Sequence, residues 1–165
     1  MCGILGIFGN EATKYLNPNN DILKSLKHRG PDMRGDYISD TADCYLGHTR
    51  LSIVDLSAQA KQPMQGQKGT LVYNGEVYNH LDLRKKMTGE WYSHSDTATL
   101  LKGLEDIGFS FLNQLEGMFA GAYYEPQLKR LSLFRDTLGI KPLYYCIFEN
   151  HLFFASEIKA ILQML

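Results

Sequence analysis

The chain has 165 residues, of which 44% are hydrophobic, and its acidic and basic side chains nearly balance at a formal net charge of −1. This length supports one substantial core but not two full domains, and the small net charge gives no reason to expect a nucleic acid or an anionic membrane as a partner. Because no run reaches the roughly 18 apolar residues of a membrane span and no secretory signal opens the chain, we expect one cytoplasmic domain with a small polar partner.

Short runs rich in β-branched, aromatic and aliphatic residues predict seven β-strands along the chain. These runs are residues 3–8, 44–54, 69–78, 118–124, 131–135, 143–148 and 152–155. Tight polar turns such as Glu125-Pro126-Gln127 separate several of them, and such turns favour antiparallel hairpins over long crossover connections. The pattern therefore predicts an antiparallel sheet system.

Apolar residues at helical spacing predict three helices between the groups of strands. They centre on Ile22, Leu23 and Leu26, on Leu100, Leu101, Leu104 and Ile107, and on Ile158, Ile161, Leu162 and Leu165. The middle helix has Asp96 and Thr97 before it as cap residues and Gly108 after it as a stop signal. Groups of hairpins with helices between them predict an α+β domain in which helices cover the sheets.

The loops, cysteines and histidines narrow the classes of site that the chain can hold. Loops at residues 28–35, 55–68 and 136–142 carry most of the Gly, Pro and Gln, and such loops often frame a site. The three cysteines lie far apart without CxxC spacing and the five histidines form no recognised ligand set, so we expect neither a metal site nor a disulfide framework. Cys44 and Cys146 fall inside apolar strands and are interpreted as core residues.

The first residues of the chain, Met1-Cys2-Gly3, offer a nucleophile. A small residue at position 2 generally permits removal of the initiator methionine, which would place the Cys2 thiol beside a free α-amino group. A thiol with a pKa near ~8.5 is a weak nucleophile while protonated, whereas an α-amino group near ~7.7 to 8.0 is partly neutral and can accept the thiol proton. The alternative is that Cys2 is a small apolar residue that opens a buried strand.

Seven sequence blocks follow Cys2 in order and form a fingerprint. They are residues 28–32 (HRGPD), 47–53 (GHTRLSI), 73–80 (YNGEVYNH), 95–97 (SDT), 116–120 (EGMFA), 135–145 (RDTLGIKPLYY) and 154–160 (FASEIKA). With them the chain resembles the class II glutamine amidotransferases, which have an N-terminal nucleophile, and among these the glutaminase domain of glutamine-hydrolysing asparagine synthetases. Relatives that make glucosamine phosphate or phosphoribosylamine share the initial Cys-Gly and an Arg-Gly block but lack the LSIVD and GIKPLYY segments.

This resemblance implies a fold and a domain organisation. The fold would be an Ntn-hydrolase-like four-layer αββα sandwich of two antiparallel sheets, formed by residues 1–165 as one glutaminase domain that ends before the last strands of its relatives. The Ser-Gly-Gly-x-Asp-Ser loop of the ATP-dependent synthetase domain does not occur in the sequence. That domain is therefore expected in a longer polypeptide or a separate subunit, and this chain is expected to need no cofactor, since ATP and Mg²⁺ would serve only the synthetase domain. The sequence leaves a homodimer open.

The resemblance also implies the chemistry at Cys2. The thiolate would attack the side-chain amide of glutamine and give a thioester, which water hydrolyses to glutamate after ammonia departs. In the family, the negative charge of the intermediate is met by an Asn side chain and a Gly backbone N–H, which match Asn74 and Gly75. The structural alternative for Asn74-Gly75 is a two-residue hairpin turn, and the two interpretations are compatible.

Further matches concern the grip on glutamine. Arg50 matches the residue that binds the α-carboxylate, for which a planar guanidinium is suited through paired hydrogen bonds, while Glu76 and Asp96 match positions that face the α-ammonium. The substrate-contacting strand end of the family matches Leu51, Ser52, Ile53 and Val54. The alternatives are a surface ion pair for Arg50, a solvated strand charge for Glu76 and a helix N-cap for Asp96.

Two overall functions stay open at this stage. The first is the glutaminase half of an enzyme that passes ammonia to an ATP-dependent synthetase converting aspartate to asparagine. The second is a catalytically silent glutaminase-like module that binds a partner or regulates it, for instance because Met1 is retained. In either case Arg29 with Asp32, and Arg135 with Asp136, are expected to brace loops as ion pairs.

Overall fold

The structure is a computed structural model and describes residues 1–17, 21–52, 55, 57–91 and 93–165. Within these ranges the strands are β1 (Gly3–Phe8), β2 (Met33–Ile38), β3 (Cys44–Arg50), β4 (Met64–Gln65), β5 (Thr70–Val77), β6 (Gly117–Glu125), β7 (Arg130–Arg135), β8 (Tyr144–Phe148) and β9 (His151–Ala155). The α-helices are α1 (His80–Lys85), α2 (Asp96–Asp106) and α3 (Ile158–Met164), and short 3-10 helices lie at Ala12–Tyr15, Ile22–Leu26, Ala58–Ala60, Phe109–Gln114 and Pro126–Leu128. The described residues contain no helix with the length and apolar character of a membrane span.

The strands form two antiparallel sheets. One sheet has the order β2-β3-β1-β9-β8 and the other β4-β5-β6-β7. In the first sheet β1 is the central strand, and it pairs with β3 from Gly3 opposite Thr49 to Phe8 opposite Cys44. Because β1 begins directly after Cys2, the pairing of the central strand fixes where the predicted nucleophile lies.

Three apolar clusters separate four layers. The inner cluster joins the facing sides of the two sheets and contains Ile4, Cys44, Leu46, Val72, Ala122, Tyr124 and Phe154. A second cluster packs the other side of the first sheet against α3 and the Ile22–Leu26 turn. A third packs the other side of the second sheet against α2. The predicted αββα sandwich of two antiparallel sheets is confirmed.

The strand predictions missed two edge strands. β2 and β4 lie at the outer edges of their sheets. β4 falls within the predicted loop 55–68, whereas β2 begins in the predicted loop 28–35 and continues through residues 36–38, for which no element was predicted. β2 carries Arg34 and Asp36 on exposed positions, and Gly35 interrupts the side on which Tyr37 packs against the inner cluster. The local signal for a strand is therefore weak, and the strand depends on its pairing with β3. β4 has only two residues, which is too short for a periodic signal. The helix α1 was likewise not predicted.

The hairpin interpretation of Asn74-Gly75 is wrong. Both residues lie inside β5, where Asn74 is opposite Ala120 and Gly75 is opposite Phe119 of β6. A Cβ atom at Gly75 would lie 2.3 Å from the Met118 carbonyl oxygen, so glycine is required here by the close approach of β6 rather than by a turn. The continuous ladder between β5 and β6 outweighs the local turn preference.

The middle helix starts one residue earlier than its predicted caps indicate. Ser95 is the N-cap of α2, and its side chain accepts a hydrogen bond from the Ala98 N–H. Asp96 is therefore the first residue of the helix rather than its cap. Gly108 follows the helix with a positive φ of 84°, as expected for a stop residue. The first predicted helix is the short 3-10 turn at Ile22–Leu26.

Phe154 tests the inner layer that holds the two sheets together. Its side chain is 0% exposed, and a Cβ at Gly6 would lie 2.4 Å from its ring, so the ring fills the space that the glycine leaves. We predict that Phe154→Ala lowers the free energy of unfolding by about 3–5 kcal/mol. Urea denaturation measures this loss.

Phe148 provides a matched control on the neighbouring strand β8. Because its side chain is 45% exposed, Phe148→Ala should cost about 1 kcal/mol or less. Equal losses in the two variants would show that the inner layer is not the principal core.

Candidate active site

A cavity of about 180 Å³ opens where the start of β1 meets the end of β5. It brings together seven of the ten predicted site residues, namely Cys2, Arg50, Leu51, Asn74, Gly75, Glu76 and Asp96. Ser52 is not part of its lining, and the Ser52 N–H instead donates to the Asp32 carboxylate at 2.8 Å. Ile53 and Val54 lie outside the described residues. The cavity is therefore the candidate active site.

Cys2 directly precedes β1 in the first sheet and is partly buried. Its Sγ accepts a hydrogen bond from the Leu51 N–H at 3.4 Å and lies 3.7 Å from the Leu51 carbonyl oxygen. Burial raises the pKa of the thiol, although the Leu51 hydrogen bond, the chain's amino terminus and Arg50 act in the opposite direction. The thiol is therefore largely protonated at neutral pH, and a nucleophilic role requires a nearby base.

Asn74 and Gly75 present unused donors to the cavity. Asn74 is 1% exposed, and its Nδ2 has no hydrogen-bond partner among the described residues. In β5 the N–H groups of Tyr73 and Val77 point away from β6, since they donate to Gln62 and Asp96. Gly75 lies at the same phase of the strand, so its N–H faces the same edge between those two side chains. A buried, unpaired amide donor at a cavity wall indicates a ligand-binding role.

Arg50 is held by backbone rather than by carboxylates. It is 6% exposed, its Nη1 donates to the Ser57 carbonyl at 3.0 Å, and its Nη2 donates to the Asp55 carbonyl. No ion pair with Arg50 occurs within the described part of the chain. The alternative of a surface ion pair is therefore wrong. The guanidinium has five N–H donors, so donors remain for an anion.

Asp96 joins α2 to β5. Its Oδ2 accepts hydrogen bonds from the Tyr73 hydroxyl and the Val77 N–H, both at 2.9 Å, and its Oδ1 accepts from the Thr97 N–H at 2.9 Å. The side chain is 5% exposed. Because Ser95 fills the cap position, the alternative role of Asp96 as the N-cap is wrong, and its carboxylate is left to line the cavity beside the half-buried Glu76.

Sequence reasoning missed several cavity residues, among them Gln62, Tyr73 and Lys141. The Gln62 amide accepts from the Tyr73 N–H at 2.6 Å and donates to Thr97 Oγ1 at 3.3 Å. Burial and the neighbouring Asp96 raise the pKa of Tyr73, so its hydroxyl stays a donor. Tyr73 and Lys141 lie inside two of the fingerprint blocks, which was the available signal. Gln62 lies in the predicted loop 55–68, whose composition indicates a site but singles out no residue in it.

His48 is close to the site in sequence but does not line the cavity. It lies on β3, is 1% exposed, and burial lowers its pKa to about 3. The imidazole is therefore neutral at physiological pH. It cannot supply a positive charge near Cys2.

Of the two ion pairs predicted to brace loops, the pair of Arg29 with Asp32 is not formed, whereas Arg135 and Asp136 both support their loop. Arg29 does not pair with Asp32; it pairs with Glu157 at 3.2 Å and donates through Nε to the Cys2 carbonyl at 3.0 Å. Asp136 braces its loop by accepting from the backbone N–H groups of Phe119, Ile140 and Lys141. Burial raises the pKa of Asp136, but these three donors outweigh burial and lower it.

Arg135 holds the same loop through the Lys141 and Gly139 carbonyls. Both residues of the second predicted brace therefore support the loop, each through the backbone. Of the two cysteines interpreted as core, Cys44 is fully buried, whereas Cys146 is half-buried on β8.

Comparison with known proteins adds independent findings. Residues 1–165 match the glutamine amidotransferase domain family. The chain is 37% identical over 184 residues to a putative glutamine-hydrolysing asparagine synthetase 2 of Methanocaldococcus jannaschii, with 99% of this chain and 35% of that protein covered. It is 41% identical over 172 residues to the glutamine-hydrolysing asparagine synthetase B of Escherichia coli, with 99% and 30% covered. The chain thus spans about a third of the length of these relatives.

A solved structure shares the fold. The glutamine phosphoribosylpyrophosphate amidotransferase from B. subtilis superposes with a TM-score of 0.76 at 21% sequence identity, and the match covers 99% of this chain and 43% of that one. This similarity supports the four-layer architecture.

The raised pKa of Cys2 predicts how its thiol reacts. While Met1 is present, the rate of alkylation by iodoacetamide should still be rising at pH 9, because the thiolate is the reactive form and burial disfavours it. Peptide mass mapping across a pH series measures this rate. Cys44, which is fully buried, should stay unlabelled until the protein unfolds. A Cys2 rate that levels off below pH 8 would contradict the prediction.

Proposed function

Because the chain belongs to the glutamine amidotransferase domain family, we propose that it hydrolyses the side-chain amide of glutamine to glutamate and ammonia. The observation that carries this proposal is the convergence on one cavity of Cys2, Arg50, Asp96 and Asn74, whose Nδ2 has no hydrogen-bond partner among the described residues. A thiol, an amide donor, a cation and an anion together match the chemical groups of glutamine.

The proposed reaction begins with removal of Met1, which frees the α-amine of Cys2. This amine accepts the thiol proton, and the sulfur electron pair forms a bond to the amide carbon of glutamine. The carbonyl electrons move to oxygen and give a tetrahedral oxyanion. When the C–N bond breaks, the amine returns its proton to the leaving nitrogen, which departs as ammonia, and water then hydrolyses the Cys2 thioester to glutamate.

The oxyanion would be stabilised by two donors of β5. Asn74 and Gly75 both line the cavity, and their backbone is held rigidly because the strand pairs with β6 over its whole length. Donors that are fixed in advance need no reorganisation when the charge develops, and one such donor typically contributes about 3 kcal/mol.

The zwitterion of glutamine would be held at its other end. The Ser57 and Asp55 carbonyls fix the Arg50 guanidinium, and its remaining N–H groups would bind the α-carboxylate. Asp96 and Glu76 would accept hydrogen bonds from the α-ammonium. Arg50 precedes Leu51, whose N–H contacts the Cys2 sulfur, so this arrangement places the substrate's charged end close to the nucleophile.

The wider role follows from the relatives. We propose that residues 1–165 are the glutaminase domain of an asparagine-synthetase-like amidotransferase in the cytoplasm. The ammonia would pass to a synthetase domain, in the same polypeptide or in a separate subunit, that uses ATP and Mg²⁺ to convert aspartate to asparagine. A second candidate, a silent module, is favoured by one observation: Met1 is part of the cavity lining beside Cys2, so retention of Met1 would block both the amine and the pocket.

Replacement of the nucleophile tests the enzyme against the silent module. We predict that the protein releases glutamate from glutamine after loss of Met1, which intact-mass measurement detects, and that Cys2→Ala reduces this activity to background. The matched control is Cys146→Ala, because Cys146 lies on β8 outside the cavity and should leave turnover unchanged. Undiminished turnover in Cys2→Ala would contradict the assignment of Cys2 as the nucleophile. Retained Met1 without turnover would favour the catalytically silent module.

The hydrogen bond from Tyr73 to Asp96 predicts an effect on substrate affinity. Tyr73→Phe removes one donor that orients the carboxylate, so the KM for glutamine should rise roughly three- to tenfold with little change in kcat. Tyr124→Phe is the matched control, since the Tyr124 hydroxyl donates to Asp43 at 2.7 Å and neither residue lines the cavity. Equal changes in KM for both variants would contradict a specific role for Tyr73.

A further inference from the structure

A cluster of charges lies at the start of α3, outside the cavity. Glu157 Oε1 lies 2.8 Å from His28 Nε2 and 3.2 Å from Arg29 Nη1. Its other oxygen, Oε2, lies 3.0 Å from Lys159 Nζ. Burial raises the pKa of Glu157, but these three partners outweigh it and lower the pKa to about 2. Glu157 therefore carries its charge throughout the pH range in which an enzyme is assayed.

One of these partners connects Glu157 to the nucleophile. The Arg29 side chain is 9% exposed, and its Nε donates to the Cys2 carbonyl at 3.0 Å while its Nη1 contacts Glu157. The guanidinium thus bridges the backbone of Cys2 and a carboxylate that lies 155 residues away in the sequence. Because guanidinium geometry fixes the directions of its donors, moving Glu157 would move the anchor of Cys2.

The residue before Glu157 reinforces the same attachment. Ser156 is 0% exposed, its Oγ accepts from the Ile4 N–H at 3.0 Å, and its own N–H donates to the Ile4 carbonyl at 2.8 Å. The segment that follows β9 therefore holds the start of β1 at two places, through Ser156 at Ile4 and through Glu157 and Arg29 at Cys2.

The charge of Glu157 also affects how readily the α-amine of Cys2 is protonated. Arg29 places a permanent positive charge against Cys2, and an uncompensated cation would disfavour a protonated α-amine at the same residue. Glu157 is the carboxylate that pairs with Arg29. The other charged groups that face Cys2 and this cluster are Arg50 from β3, Asp96 from α2, the amino terminus, His28 from the loop before β2, and Lys159 from α3.

We propose that Glu157 is a positioning residue for the reaction at Cys2: through Arg29 it fixes the Cys2 backbone and keeps the α-amine of Cys2 basic enough to accept the thiol proton. The inference rests on the proposed function, in which that amine is the base. It assigns a role to a residue that touches neither the substrate cavity nor the nucleophile.

The test is the pH dependence of kcat/KM for glutamine in a His28→Gln background, which removes the imidazole that contacts Glu157 and leaves Arg29 and Lys159 as the partners of Glu157 among the described residues. Adding Glu157→Gln leaves the Arg29 charge uncompensated. The protonated amine is then less stable, so the rising limb should move to lower pH by about half a unit, since removing one nearby opposite charge shifts a pKa by a fraction of a unit to a few units. The kcat should fall about three- to tenfold, while KM stays unchanged.

Three further variants make the result specific. Glu125→Gln is the matched control, because it breaks a comparable pair with Arg130 at 2.8 Å, outside the cavity lining, and should leave the limb in place. Glu157→Asp keeps the charge, so its limb should coincide with the background. Arg29→Gln removes the cation and should move the limb to higher pH, which gives a second reading if Glu157→Gln fails to fold.

The outcomes separate this inference from the proposed function. Absence of glutamine hydrolysis in the wild type and the His28→Gln background would reject the proposed function. Hydrolysis with a limb that stays in place in folded Glu157→Gln, or in Arg29→Gln, would overturn the role of Glu157 alone. A shift of the same size in Glu125→Gln or Glu157→Asp would also overturn it, because the effect would then not depend on the charge at this position.

Discussion

The contact between the Cys2 sulfur and the Leu51 N–H ties the candidate site to the fold. β1 is the central strand of its sheet, and its first pair, Gly3 with Thr49, places Cys2 beside the end of β3. Arg50 ends β3, and Leu51 follows it. One strand pairing therefore sets both the nucleophile and the cation that would bind the substrate's carboxylate. A shift of one residue in this register would turn every side chain of β1 to the other face and remove Cys2 from the cavity.

The backbone N–H groups of β5 that face the site are available because the neighbouring strand β4 has only two residues. β4 pairs with β5 only at Leu71 and Thr70, so within the described part of the chain the N–H groups farther along that edge of β5 face no strand. The Gln62 amide satisfies the Tyr73 N–H and the Asp96 carboxylate satisfies the Val77 N–H. Gly75 lies between them, and its N–H opens onto the cavity. A longer β4 would have accepted a hydrogen bond from the Gly75 N–H. The early end of β4 therefore leaves this donor available to the site.

The sequence predicts the elements whose signal is local and misses those that depend on distant partners. β1, β5 and α2 have apolar residues at the period of their own structure, and they were placed nearly as the structure has them. The polar edge strand β2 exists because β3 is beside it. Asn74 and Gly75 were found through the fingerprint block, yet their local pattern indicated a turn that β6 overrides. Gln62 and Glu157 act through contacts with Tyr73 and Arg29, which no spacing in the sequence reveals.

Under the proposed function, the buried charges of the cavity would bind a zwitterion rather than each other. Arg50 and Asp96 are 6% and 5% exposed, yet among the described residues each is held by neutral hydrogen-bonding groups and neither has an ion-pair partner. Burying an unpaired charge costs free energy, and under the proposed function a ligand with one carboxylate and one ammonium would offset the cost at both residues. A glutamine side chain within a peptide lacks both charges and would leave the two residues unpaired. The same arrangement that destabilises the empty cavity would thus select free glutamine over protein-bound glutamine.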